Sequence, residues 1–591
     1  MNPIFLLLNL LPILFLYQLG GDFHMSVPLS QEFTLSLVQT HIGTFFAYLS
    51  LGSFLLVTIA QKTKHLSWSY YVLQFVLSIA MFVIVFAGDF ITFFIGWEVM
   101  TWSSYFLISK SLNADMKSLQ KYILFSLGSA FFLIAGMVIT YAFTNTFDFA
   151  TIASTFQFIP FSIKVTLVVL FSLSFFIKAG VIGLHYWVVD TYSKAPDLFS
   201  AILSAVMSKM GIYGLFLIYG NIVGFYELKE MFGSVLHGSS FGYVLAWIGV
   251  ITSIIATFKA ITQDEVKRLL AYSSIAQLGY IVAVIGLGTS FGVAGALYHT
   301  VIHTIIKLLL FINVAAIVAQ SGKNKFSELG GLIYKTPLSF VMLLIGIISL
   351  AGMPPLGGFA SKFMMYNALI DTKFALVLVA MLFSGAASFL YCYKLVYGIY
   401  LGHPNSKNLE KQKEVPLTYL IPQIILALAL IGLGAFPGAF VTVINPILKE
   451  LLLAPIPYSG LGVMQSVVGN FNGFFVISAF VIIFLVILLL MFRIKSKAKN
   501  NLNRFDISYC GEVPDKNTSL HYGYGMGSEL HRIKFVNAIL KRSTSNFYES
   551  LAQQTKKASQ LTSRMYYGNI HNTAIIILLF FSALYFIGVN S

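Results

Sequence analysis

Apolar runs of seventeen or more residues recur from one end of this chain to the other, separated by short polar breaks. Each run is long enough to cross roughly 30 Å of hydrocarbon as a helix. Runs such as Phe474–Phe492 are apolar throughout. A membrane barrel strand would alternate instead. The pattern predicts about fifteen spans, near 3–19, 42–60, 70–88, 89–109, 119–143, 163–190, 197–221, 241–261, 268–289, 292–319, 337–370, 373–401, 417–440, 472–493 and 572–588. The opening MNPIFLLLNLLPILFLYQLGGD has neither a positive n-region nor a small-residue cleavage pattern. It reads as a retained first helix, with a cleaved signal as the alternative.

Two spans carry interruptions. The sixth contains Lys178-Ala-Gly-Val-Ile-Gly-Leu-His185, and the eleventh contains Gly352-Met-Pro-Pro355-Leu-Gly-Gly358. Paired prolines remove two backbone donors and force a kink or an unwound turn. Broken backbone at membrane depth is tolerated where it lies inside protein or lines a cavity. Breaks five spans apart point in opposite directions, as in an inverted repeat of the transporter kind. The loops divide by charge. One alternate set holds Lys62, Lys64, Lys110, Lys117, Lys121, Lys194, Lys267, Arg268, Lys323, Lys325, Lys407, Lys411, Lys413 and the basic segment from Arg493. The other holds only Lys164, Lys229, Lys373 and Lys449. The positive-inside rule puts the basic loops and the N-terminus in the cytoplasm, and fifteen spans then put the C-terminus outside.

Composition narrows the class. The 591 residues are 58% hydrophobic and 10% charged, with a mean hydropathy of +0.83. Soluble domains use about 25% charged residues, so this chain is a polytopic α-helical membrane protein. Its net charge of +15 follows the topology and gives no reason to expect nucleic acid. Cys392 and Cys510 stand alone. Two thiols cannot supply a four-thiolate cluster, and no phosphate-binding loop is present. No cofactor and no catalytic centre are expected in this chain. The stretch 494–571 is polar and basic, and Phe547, Leu551, Ala558, Leu561 and Met565 fall at helical spacing beside Lys556, Lys557 and Arg564. A short amphipathic helix on the membrane surface or a partner is expected there, with a solvated linker as the plain alternative. The segments are then 1–69, N-terminal spans; 70–401, a core; 402–493, further spans; 494–571, the basic segment; and 572–591, a final span.

Ionisable groups inside spans are costly, about 2.5–3.5 kcal/mol at a helix centre on insertion scales, so they face the bundle interior and mark function. Glu98 lies halfway along the fourth span, Lys178 beside the first break, with His185 and Asp190 after it, and Lys209 in the seventh span. His299, His303 and Lys307 are spaced by four and share one helical face, and Lys362 follows the second break. Lysine and histidine are the groups whose proton affinity burial and neighbours can bring near working pH. A Glu98–Lys178 pair that opens and closes is expected to change the lysine's proton affinity. A single buried lysine can instead satisfy carbonyls, and Lys209 alone is evenly balanced between the two roles. His299 and His303 could bind a metal at this spacing, but no third ligand stands nearby, so no metal is expected. Lys394 reads as structural, and Lys267 with Arg268 as topology determinants.

The segments GDFITFFIGWEVMTWSSYFLI, DEVKRLLAYSSIAQLGYI, HTVIHTIIKLLLF and SLAGMPPLGGFASKF resemble the antiporter-like subunits of respiratory complex I. That superfamily includes the Mrp-type cation/proton antiporters and the membrane-bound nickel–iron hydrogenases of the energy-converting, Ech-like kind. The resemblance covers about residues 70 to 400. It implies two inverted five-helix repeats and a proton path through Glu98, Lys178, Lys209, His299, His303, Lys307 and Lys362. One N-terminal span fewer than in complex I members, a short amphipathic segment and Cys510-Gly511-Glu512 lean towards the hydrogenase-associated members.

The combined expectation is a proton-translocating, non-redox subunit of a redox-driven complex such as an Ech-like hydrogenase or a complex I-like NADH or ferredoxin dehydrogenase. The path is a buried Glu/Lys/His axis that includes His185. Partners are other membrane subunits and iron–sulfur subunits, which carry any iron–sulfur, nickel–iron or flavin group. The expected location is a prokaryotic inner membrane. The rivals are an Mrp-type Na⁺/H⁺ antiporter component, a structural anchor without its own path, and a membrane partner in inorganic-carbon uptake.

Overall fold

The computed structural model describes residues 23–28, 34–61, 66–401, 412–466, 469–493, 527–541 and 544–567. The chain forms two compact units, 1–529 and 530–591. In order, the first unit contains α1 (His41–Ala60), α2 (Trp68–Phe86), α3 (Phe90–Ser109), α4 (Met116–Thr144), the short α5 (Phe149–Thr155), α6 (Phe161–Ala179), α7 (Tyr186–Lys194) and α8 (Asp197–Ile222). Next come α9 (Phe225–Phe232), α10 (Ser240–Ile261), α11 (Val266–Ile285), α12 (Ser290–Ser321), α13 (Pro337–Ala351), α14 (Gly357–Asp371) and α15 (Ala375–Ile399). The unit closes with α16 (Leu417–Ala435), α17 (Pro437–Glu450) and α18 (Gly473–Arg493). Twelve helices among the described residues are long and apolar enough to cross a membrane, and α13 with α14 makes a further, broken span. The chain is therefore a multi-pass integral membrane protein. Every expected span within the described residues finds a helix or a split helix. The first and last, 3–19 and 572–588, lie outside the described residues, as do Cys510-Gly511-Glu512.

Each helix start leaves backbone N–H groups that lipid cannot satisfy, and the chain supplies local acceptors. Thr40 Oγ1 accepts from Gly43 at 2.9 Å, Asp89 Oδ1 from Thr92 at 2.7 Å and Asp115 Oδ1 from Ser118 at 2.9 Å. Both expected breaks are present. α6 ends at Gly180 (φ +72°) and α13 at Gly352 (φ +80°), left-handed positions where glycine carries no Cβ penalty. Trp187 Nε1 donates to Ile177 O at 2.9 Å and clasps α7 to α6 across the first break. The expected span 417–440 is also interrupted, at Phe436 between α16 and α17.

Two five-span sets follow one another: α2, α3, α4, α6/α7 and α8, then α10, α11, α12, α13/α14 and α15. The fourth span is broken in each. α10 and α11 approach closely because Gly249 and Gly279 face each other; a Cβ on Gly249 would sit 2.4 Å from Gly279 O. Three two-stranded hairpins were not expected: β1 (His24–Pro28) with β2 (Thr34–Val38), β3 (Ser234–Val235) with β4 (Gly238–Ser239), and β5 (Val463–Gln465) with β6 (Asn470–Asn472). Asp89 fastens the first to the bundle, accepting from Ser36 N at 2.7 Å and Ser36 Oγ at 2.8 Å.

Among the described residues, the lysine-bearing loops at Lys121, Lys194, Lys267 and Lys323 meet acidic partners at one end: Lys194–Asp115 at 2.8 Å, Lys267–Asp197 at 3.0 Å, Arg268–Asp190 at 2.8 Å, Lys323–Glu328 at 3.4 Å, and Lys121 with Asp190. Lys62, Lys64, Lys407, Lys411 and residues 494–526 of the basic segment lie outside the described residues. At the opposite end Lys164 pairs with Glu227 at 2.6 Å. In the second unit, α19 (Lys534–Lys541) precedes α20 (Thr544–Tyr567), a 24-residue helix over the stretch expected to be amphipathic.

Candidate functional site

Lys178 lies in the last turn of α6, just before the chain leaves the helix at Gly180. It is buried, and its ammonium donates to Thr101 Oγ1 on α3 at 3.1 Å and to Ser126 Oγ on α4 at 3.2 Å. The rings of Trp97 and Tyr122 flank it at 5.7 and 5.4 Å. Glu98 sits beside Trp97 on α3, half-buried, with Oε1 unpartnered among the described residues. Among the described residues no ion pair within 4.0 Å joins it to Lys178, although the two charges act on each other. The expected pair is thus open in this structure: the two hydroxyls take the ammonium, because Thr101 is one turn on from Trp97 and faces inward where Glu98 is turned partly outward.

Lys209 depends on a feature that its sequence gives no sign of. Residues Leu203–Met207 of α8 form a π turn, which displaces carbonyls from the regular ladder. Three successive oxygens take side-chain donors: Leu203 O from Tyr192 at 3.0 Å, Ser204 O from Lys209 Nζ at 2.6 Å, and Ala205 O from Thr304 at 2.8 Å. Among the described residues this lysine is held in the core by a carbonyl and a hydroxyl and by no carboxylate.

On α12 the three residues do share a face. The rings of His299 and His303 lie 6.1 Å apart and nearly parallel, at 2°. His299 Nε2 contacts Gln277 Oε1 and Nδ1 contacts Ser361 Oγ, both at 3.0 Å. With Gln277 Oε1 accepting, Nε2 carries the proton and Nδ1 accepts from Ser361. Both nitrogens of His303 are buried without a partner among the described residues. Lys209, Lys307 and His299 all act on it electrostatically. Lys307 donates to Ser273 Oγ at 2.7 Å and Leu270 O at 3.1 Å, both on α11.

Lys362, on α14, reaches back across the second break. Its ammonium donates to Ala351 O at 2.9 Å and Leu350 O at 3.1 Å, the final carbonyls of α13. A cation suits the negative end of a helix. Buried Cys392 on α15 lies within electrostatic range of both Lys307 and Lys362.

The structure thus gathers Lys209, His299, His303, Lys307 and Lys362 into one buried row, with Lys178 and Glu98 in the first repeat. His185 stands apart, at the start of α7, with its Nδ1 unpartnered among the described residues and its ring 6.5 Å from Tyr272. Asp190 belongs to the charge cluster at the basic end. Lys394 caps α10 by donating to Ile261 O at 3.0 Å, a structural use.

Residues 87–388 match the family described as NADH:quinone oxidoreductase/Mrp antiporter, TM. The chain belongs to this family. A Na⁺/H⁺ antiporter component of Alkalihalophilus pseudofirmus is 28% identical over 71% of this chain and 53% of its own length. The chain therefore spans about half of that relative. NADH-quinone oxidoreductase subunit N 2 of Syntrophobacter fumaroxidans is 28% identical over 69% of this chain and 85% of its own. Among solved structures, that of the membrane-bound sulfane sulfur reductase, an archaeal respiratory membrane complex, contains a chain 29% identical to this one. The match covers 97% of this chain and 94% of that chain, with a TM-score of 0.87. The chain is thus an antiporter-like membrane subunit, as its motifs imply.

Proposed function

We propose that this chain translocates protons along Glu98, Lys178, His185, Lys209, His299, His303, Lys307 and Lys362, as one component of a redox-driven membrane complex. The observation that carries the reading is the set of orphaned polar atoms at these residues: Glu98 Oε1, His185 Nδ1 and both nitrogens of His303 are buried and have no partner among the described residues. Buried polar groups ordinarily find partners in protein or water, so unmet ones at Glu98, at the first break and on α12 suit groups that exchange protons through water. Electrons pass through partner subunits that hold the iron–sulfur, nickel–iron or flavin groups, and this chain needs none. The likeness over nearly the whole chain to a component of an archaeal respiratory complex supports a redox assembly of the Ech-like or complex I-like kind. The basic end faces the cytoplasm of a prokaryotic cell, in its inner membrane, with the N-terminus inside and the C-terminus outside.

The antiporter relative supports a second reading, Na⁺/H⁺ exchange without electron transfer. Purified complex in sealed vesicles separates the two. Proton uptake that starts with an electron donor, persists without sodium and is lost in Lys178→Ala supports the first. Sodium-dependent exchange without any donor overturns it in favour of the second. Redox-driven uptake undiminished in Lys178→Ala leaves this chain a structural anchor.

A further inference from the structure

α8 and α11 both begin at the basic end, and two polar rungs join them on the way inward. The first is the Asp197–Lys267 ion pair, at 3.0 Å. The second is Ser204 Oγ with Ser274 Oγ, at 2.7 Å. Each member of the second rung lies seven residues beyond the first on its own helix, so the helices run in parallel and the second rung is about 10 Å deeper at 1.5 Å per residue. The deeper rung touches the buried row directly, because Ser204 O holds the Lys209 ammonium at 2.6 Å. Between the rungs on α11 lie Leu270 and Ser273, which hold Lys307.

The shallower rung borders open space. A cavity of about 200 Å³ opens at the basic end, lined by Gln61, Tyr70, Lys110, Asn113 and Asp197. Gln61 is fully buried on its wall and Oε1 has no partner among the described residues, while its Nε2 donates to Gln74 Oε1 at 2.9 Å. An unmet acceptor beside a carboxylate and a phenol, in a cavity this size, is a site for ordered water. Asp197 faces this cavity on one side and Lys267 on the other. The Lys267 ammonium is buried and also donates to Ala195 O at 2.9 Å.

We propose that this cavity is the hydrated intake of the row and that the Asp197–Lys267 pair is its gate. Asp197 takes a proton from hydronium in the cavity, which returns to water. The neutral carboxyl releases Lys267, and the proton passes inward to water along the α8–α11 seam and on to Lys209 or Lys307 once that ammonium has handed its own proton along the row and become an amine. Asp197 is then an anion again and re-forms the pair behind it. The inference rests on the proton-translocating reading, and it adds two residues, Asp197 and Lys267, that the row itself does not contain.

The test uses the whole complex in vesicles with the basic end outward, in a background where Cys510 is serine. Leu112→Cys puts a thiol at the exposed rim of the cavity, and Tyr226→Cys puts one at the opposite end as a control. Labelling with a bulky, membrane-impermeant maleimide is expected to cut donor-driven proton uptake at least tenfold in Leu112→Cys. A right-side-out preparation with the electron donor sealed inside, which exposes the other end, is expected to keep full donor-driven proton release after Tyr226→Cys is labelled. Asp197→Asn is expected to show the same loss with the complex intact, and Asp197→Glu to keep most uptake. Full uptake in labelled Leu112→Cys overturns the intake, as does full uptake in Asp197→Asn. If Asp197→Asn does not assemble, labelled Leu112→Cys decides alone. Absence of proton uptake in the unsubstituted complex overturns the proton-translocating reading and the intake with it.

Discussion

His303 and His299 are one turn apart on α12, yet their surroundings assign them different dependencies. His299 is fixed by Gln277 and Ser361, whereas His303 has no protein partner at either nitrogen among the described residues. Removing His299 forfeits two hydrogen bonds and leaves Gln277 Oε1 buried with one partner fewer, a loss of about 1–3 kcal/mol. Removing His303 breaks none of these. His303→Gln is therefore expected to leave the melting temperature of the complex within a few degrees while proton uptake falls at least tenfold. His299→Ala is expected to lower both. Unchanged uptake in His303→Gln would make that residue a passive filler of the core. The residue scale also shows where sequence was readable. The four-residue spacing of His299, His303 and Lys307 is a property of any α-helix, so their shared face was legible. The resting partners of Lys178 were not, because Thr101 and Ser126 lie 77 and 52 residues away.

Elements meet at the basic end through charges that sequence could assign only to topology. Asp115 caps α4 through Ser118 and also pairs with Lys194 at the end of α7, joining the start of one span to the end of a broken one. The Lys194 ammonium, and then the Ser118 bonds, hold the Asp115 carboxyl well below the usual carboxylate range. A carboxyl depressed by folding stabilises the fold above its unfolded value, near pH 4, and loses that contribution as pH falls through the depressed value. Its side chain is half exposed, which limits the ion pair to about 1 kcal/mol or less after solvent screening. Asparagine preserves the cap but not the charge. Asp115→Asn is expected to lower the melting temperature slightly at pH 7, with Asp115→Ala costing about 1 kcal/mol more. Melting curves taken down the acid limb should show the aspartate–asparagine difference shrinking; a constant difference would remove the ion pair from the account. Spans were legible because hydrocarbon demands long apolar runs, and the two breaks because glycine and proline mark them. The π turn in α8 was not, since Leu203-Ser-Ala-Val-Met207 contains ordinary helix formers and gives no local signal. The hairpins were missed because short strands in polar connections leave little periodicity.

At the scale of the molecule, the two broken spans occupy matching places in successive five-span sets, and each sets a lysine beside its break. Their ammonium groups are held differently. Lys178 rests on hydroxyls of neighbouring helices, whereas Lys362 rests on the carbonyl end of its own broken span. Lys209 acts on Lys307, His299 and His303, His303 also feels Lys307 and His299, and Lys362 acts on His299. A proton that the intake delivers to Lys209 and Lys307 passes the second break on its way out, and the first break works in series with it when each transfer requires Lys178 to change its own protonation. Two separate half-paths, each ending at its own partner, would instead work in parallel. Series and parallel paths differ in how losses combine. In series, blocking one step already stops the flow, so a second block adds nothing and the effects are far from additive. Lys178→Ala and Lys362→Ala are each expected to reduce protons taken up per electron at least tenfold. The double variant is expected to fall no further than the lower of the two. If each single variant keeps about half the uptake and only the double abolishes it, the two repeats are independent paths and the buried row does not connect them.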